Sequence, residues 1–69
     1  MILDLDKLPY RLALKIINWC FEHNIDRDKC ILMIDAMATS NYDKTNFTWE
    51  IEIPEKYITF FVLKFNEFQ

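Results

Sequence analysis

Residues 46–68, NFTWEIEIPEKYITFFVLKFNEF, decide how the chain reads. Phe47, Trp49, Ile51 and Ile53 alternate with Thr48, Glu50 and Glu52, the period of two that a half-buried strand requires. Ile53-Pro54-Glu55-Lys56 suits a type I turn, because proline presets φ at the second turn position. Tyr57 to Phe65 is rich in aromatic and β-branched side chains, and the preceding strand needs a neighbour, so a returning antiparallel strand is expected. A helical reading competes over Glu55 to Phe68. In it Tyr57, Ile58, Phe61, Val62, Phe65 and Phe68 form one stripe, with Phe60 and Leu63 on the polar side. The hairpin is the preferred reading.

If Ile53 opposes Tyr57 in that hairpin, Phe61 and Leu63 join Trp49 and Ile51 on one face. Ile58, Phe60 and Val62 then line up with Glu50 and Glu52 on the other, and a slip of one residue exchanges the two sets. In either register the last strand is apolar on both sides. A lone hairpin over helices cannot cover both, so a protein partner or a symmetric homodimer is expected.

Upstream, TSNYDKTN (Thr39 to Asn46) is nearly free of large aliphatics and rich in side chains that bond their own backbone, which marks a loop. Before it lie two helical patterns. Asp6 is placed to cap the first, with Pro9 in its opening turn. Its polar residues Arg11, Lys15, Asn18 and Glu22 fall in one narrow stripe, so most of its circumference is apolar and should be sandwiched between two layers. Asn24 can take the left-handed conformation that ends a helix, and Asp26 can cap the next. The second helix, Arg27 to about Ala38, places Cys30, Ile31, Ile34, Met37 and Ala38 on one face, opposite Asp28 and Asp35. The predicted fold is a single α+β domain over residues 1–69, two N-terminal helices packed on a C-terminal antiparallel β-hairpin, order ααββ.

Composition narrows the function. A chain of 69 residues buries only about 60% of the surface its unfolded form exposes, so its stability is marginal. Yet 52% of the residues are hydrophobic, 16% are aromatic and none is glycine. So much apolar material must fill the core or be covered by another chain. With 8 basic and 11 acidic residues interleaved and a net charge of −3, there is no basic stripe of the kind nucleic acid demands. The opening MILDLDKLP carries aspartates where a secretory signal would be basic, and no run reaches the roughly 20 apolar residues that cross a bilayer. A cytoplasmic setting is expected, with Cys20 and Cys30 reduced and buried rather than disulfide-bonded. Abundant Ile, Phe, Tyr, Lys and Asn, whose codons are AT-rich, suit a low-GC bacterium or its phage.

Catalytic and metal chemistry find little footing. Cys20, His23 and Cys30 form a C-x2-H-x6-C array that lacks the paired spacings and fourth ligand of a zinc site. The same Cys–His pair has no third residue to orient the base and no glycine-rich loop to hold an oxyanion. Without glycine, phosphate-binding fingerprints are excluded. Glu50 and Glu52 share a strand face, but a solvated face that deters edge pairing explains them more simply. No catalysis and no cofactor are expected. The preferred reading is a small, non-enzymatic regulator or inhibitor, of a kind a phage could encode, that docks on a larger protein through Ile58, Phe60, Val62 and Lys64, with Glu50 and Glu52 as a polar rim. The alternative is a helix-turn-helix-like DNA-binding regulator, weakened because Arg27, Asp28, Lys29 and Asp35 on the would-be recognition helix cancel.

Overall fold

The N-terminus supplies what the hairpin reading lacked. The computed structural model describes residues 1–40 and 46–66, and in it Ile2–Asp4 forms a strand, β1, paired antiparallel with Glu50–Glu52, β2. The register sets Ile2 against Glu52, Leu3 against Ile51 and Asp4 against Glu50. Beyond the strand ends, the Ile53 N–H donates to the Met1 carbonyl (2.7 Å) and the Leu5 N–H to the Trp49 carbonyl (2.8 Å). Because side chains alternate, Leu3, Leu5, Ile51 and Ile53 turn toward the helices, while Ile2, Asp4, Glu50 and Glu52 turn away. Burial follows that parity: Leu5, Ile51 and Ile53 are buried, whereas Ile2, Glu50 and Glu52 are exposed.

The remaining elements are α1 (Tyr10–Glu22), α2 (Arg27–Thr39) and α3 (Glu55–Lys64), with one 3-10 turn at Leu5–Lys7. The chain therefore runs βααβα, and the expected ααββ order with a C-terminal hairpin is wrong. Phe47 to Ile53 alternates as expected, but its neighbour is β1. Tyr57 to Phe65 is not a strand: Tyr57 to Lys64 lies in α3 and Phe65 is its C-cap. The helix begins after Pro54, whose carbonyl accepts the Tyr57 N–H at 2.8 Å. Glu55 in the first turn and Lys64 in the last oppose the helix dipole favourably. Phe61 and Phe65 are buried and Tyr57 and Ile58 half-buried on one stripe. With β2 already paired, helical packing of that stripe on α1 overrides the segment's β-propensity.

The helical half lies close to expectation. Arg11, Lys15, Asn18 and Glu22 form the exposed stripe of α1, and Ile16, Ile17 and Cys20 are wholly buried. α1 packs on α2 and meets α3 through Trp19, and the sheet residues Leu5, Ile51 and Ile53 belong to the same core cluster. In α2 the buried residues are Cys30, Met33, Ala36 and Met37, so the inward face is rotated from the expected one, and Ile31 and Ala38 are exposed. The caps also differ. Asp6 does not cap α1; Pro9 precedes it, and the carboxylate of Asp4 accepts the Asp6 N–H (3.1 Å) to start the 3-10 turn. Asp26 sits at the cap of α2 in the left-handed region and makes no side-chain cap bond. Asn24, Asp26 and Ser40 all have φ between 48° and 57°, the conformation glycine ordinarily takes. Most of the expected loop, residues 41–45, lies outside the described residues, as do residues 67–69 at the end of the competing helical stripe.

Candidate protein-interaction groove

Trp19 organises the seam between α1 and α3. Its polar neighbours on α1 face solvent, but its ring turns inward and is only 8% exposed. Tyr57 and Phe65 meet it edge-on, with centroids 6.1 and 5.9 Å away, and Phe61 lies at 5.8 Å. These are favourable aromatic geometries that fix how α3 lies on α1. One turn on, the His23 ring lies 4.7 Å from Trp19 and 5.7 Å from Tyr57. Its Nδ1 sits 2.9 Å from the Trp19 carbonyl. A carbonyl only accepts, so Nδ1 carries the proton and donates.

Over this cluster runs an open groove of about 520 Å³ lined by Trp19, His23, Tyr57, Phe60, Leu63 and Lys64. A second groove of the same volume continues from it, sharing Trp19 and Lys64 and adding Lys15, Asn18, Glu22 and Phe65. The lip is formed by Phe60 and Leu63, which are 63% and 68% exposed although both are large and apolar. Lys56 lies 5.3 Å over the Tyr57 ring at the near end. Among the described residues neither Lys15 nor Lys64 forms an ion pair. The groove thus combines an aromatic floor with a rim of two lysines and one carboxylate, Glu22.

The six residues expected to form one binding surface fall in three places. Phe60 and Lys64, one turn apart, line the groove. Ile58 and Val62 lie on the opposite flank of α3: Ile58 is half-buried against the core, and Val62 borders an apolar recess of about 230 Å³ with Met1, Leu3 and Phe61. Glu50 and Glu52 stand on the outer face of the sheet, away from α3. The single hairpin face that would have joined them does not exist, because a helix spreads residues two apart to opposite sides. Sequence reasoning missed Leu63, Trp19 and His23 as groove residues and Ile2 as an exposed apolar side chain. Their signal lay in the helical stripe, which leaves Phe60 and Leu63 unused.

The outer sheet face has its own character. Ile2 is 68% exposed, and around it stand the carboxylates of Asp4, Glu50 and Glu52, with Asp4 directly opposite Glu50. Lys7 reaches Asp4 at 3.9 Å.

The thiols occupy the core rather than a cleft. Cys20 and Cys30 are free and fully buried, and the Cys30 thiol donates to the Ile25 carbonyl at 3.4 Å. A hydrogen bond shared with Cys30, reinforced by burial, pushes the Cys20 thiol well above the usual thiol range, so it stays protonated and poorly nucleophilic. His23 is exposed on the surface, and no cluster of three or more His, Cys, Asp or Glu among the described residues is placed to hold a metal ion. No helix among the described residues is long and apolar enough to cross a membrane. Comparison with family models, with curated proteins and with solved structures finds no match.

Proposed function

We propose that the protein is a small, non-enzymatic protein-interaction module, a regulator or inhibitor that docks on a larger protein through the groove between α1 and α3. One observation carries the reading: Phe60 and Leu63 stand side by side in solvent on a helix whose core-facing stripe is complete without them. Aromatic and aliphatic anchors beside a preformed groove are the ingredients of a binding hot spot. Free, buried thiols suit a reducing, cytoplasmic setting.

The test compares wild type with Phe60→Glu in capture from the natural host, with helical circular dichroism as the folding control. Loss of a captured protein with an unchanged spectrum is the expected result. A variant that captures the same proteins as wild type overturns the assignment. The DNA-binding alternative is separated by titration with duplex DNA at low salt, where phosphate contacts give affinity that falls steeply as salt rises.

A further inference from the structure

We propose that the groove receives the acidic outer sheet face of a second copy of this chain, with Ile2 as the apolar anchor. This names the partner of the surface just described and rests on that surface being a docking site. The argument is charge and shape complementarity between two patches that share no residue. One is a trench with an aromatic floor, lined by Lys15 and Lys64 with Glu22 as its one carboxylate, and with Lys56 over the Tyr57 ring at its end. The other is a ridge with one exposed aliphatic side chain, Ile2, set among Asp4, Glu50 and Glu52.

Each patch carries a deficit that the other relieves. On the ridge, Asp4 and Glu50 face each other across the strands, and like charges so placed repel. Lys7, at 3.9 Å from Asp4, is the single cation in an ion pair there among the described residues. At the trench, Lys15 and Lys64 have no such partner among the described residues, and Phe60 and Leu63 remain wet. Seating Ile2 between Phe60 and Leu63 above Trp19 brings the lysines against Asp4, Glu50 and Glu52. The chain's net charge of −3 disfavours indiscriminate self-contact and leaves this basic patch as the place where an acidic face is welcome. Since different patches meet, the contact either closes as a two-fold pair, each patch used twice, or propagates head to tail.

A charge swap tests it. Lys64→Glu puts a carboxylate in the groove to face those of the ridge, and Glu52→Lys puts a cation on the ridge to face those of the groove, so each variant alone is mismatched with itself. In an equimolar mixture every groove again finds a ridge of opposite sign. Sedimentation equilibrium from about 10 µM to about 1 mM spans the weak contacts expected of an interface below standard size. Wild type should associate reversibly; each variant alone, and Ile2→Ser, should associate about tenfold more weakly; the mixture should return to within about threefold of wild type. None of the three substitution sites contributes to the core, since Ile2, Glu52 and Lys64 are exposed, so circular dichroism should not change. A wild type that is monomeric throughout, or a mixture no tighter than its components, overturns the proposal. If wild type is monomeric while Phe60→Glu still loses a host protein in capture, self-docking is wrong and the docking groove stands. If capture is also unaffected, both readings fall.

Discussion

Truncating Phe61 and Leu63 separately to alanine distinguishes the helix from the strand, because the two structures assign Leu63 opposite fates. A hairpin in which Ile53 opposes Tyr57 puts Phe61 and Leu63 on the same core face. The helix buries Phe61 to 7% exposure and leaves Leu63 68% exposed. Phe61 also touches the rings of Trp19 and Phe65, with centroids at 5.8 and 5.0 Å. Phe61→Ala should therefore lose about 3–5 kcal/mol, the range for a large aromatic removed from a packed core. That is a large share of the roughly 3–10 kcal/mol available to a domain of this length. Leu63 keeps only about a third of its surface from water, so truncation should remove about 0.5–1 kcal/mol of the roughly 1.5–3 that full burial is worth. Alanine's better helix propensity offsets part of even that. Urea unfolding followed by circular dichroism measures both. The expected pattern is a Phe61→Ala protein close to unfolded in buffer and a Leu63→Ala protein within about 1 kcal/mol of wild type. A loss of about 2 kcal/mol or more from Leu63→Ala, the lower edge for a buried leucine, would refute the helical register.

The buried thiols and the strand charges provide three further tests. Native Cys20 and Cys30 should resist a thiol reagent that modifies both once the protein is unfolded, since neither is exposed. Because the folded Cys20 thiol is held above its ordinary range, the unfolded state ionises first. Stability should then be fully present at neutral pH and decline above about pH 8.5; because burial also raises Cys30 and only its bond to Cys20 lowers it, replacing both thiols by alanine should flatten that decline, and an unchanged slope would show another group responsible. Glu50→Lys replaces a cross-strand repulsion with Asp4 by an attraction. A stabilisation of about 0.2–1 kcal/mol is expected in dilute protein, shrinking at high salt; a destabilised variant would contradict the register.

What the sequence revealed depended on whether a segment satisfied one periodicity or two. In α1 the stripe of Arg11, Lys15, Asn18 and Glu22 admits only a helix, and its exposure in the structure follows. Phe47 to Ile53 alternates and nothing else, so its faces were legible even though only Glu50–Glu52 forms ladder. Tyr57 to Phe65 satisfies both periods, and the choice turned on who pairs with β2. Met1, Leu3 and Leu5 alternate with Ile2, Asp4 and Asp6, but so short a run, followed by aspartate and proline, also fits the lead-in to a helix. A strand paired with a segment at the other end of the chain leaves no turn signal between them. The groove was illegible for a related reason. Phe60 is apolar in any reading, but Trp19 and His23 become its neighbours only once α3 lies on α1.

Why Phe60 and Leu63 are apolar is the question that folding leaves open. On α3, Tyr57, Ile58, Phe61 and Phe65 already contact the core, so polar residues at positions 60 and 63 would fold as well. In so small a domain exposed apolar side chains contribute little stability and raise the tendency to associate. The same holds for Ile2, whose strand neighbours on the outer face are all acidic. Side chains that the fold does not require, placed on a lysine-rimmed groove at one surface and an acidic ridge at another, are most simply explained by contact with another protein surface. A chain that carries both halves of such a contact has its first candidate partner in itself.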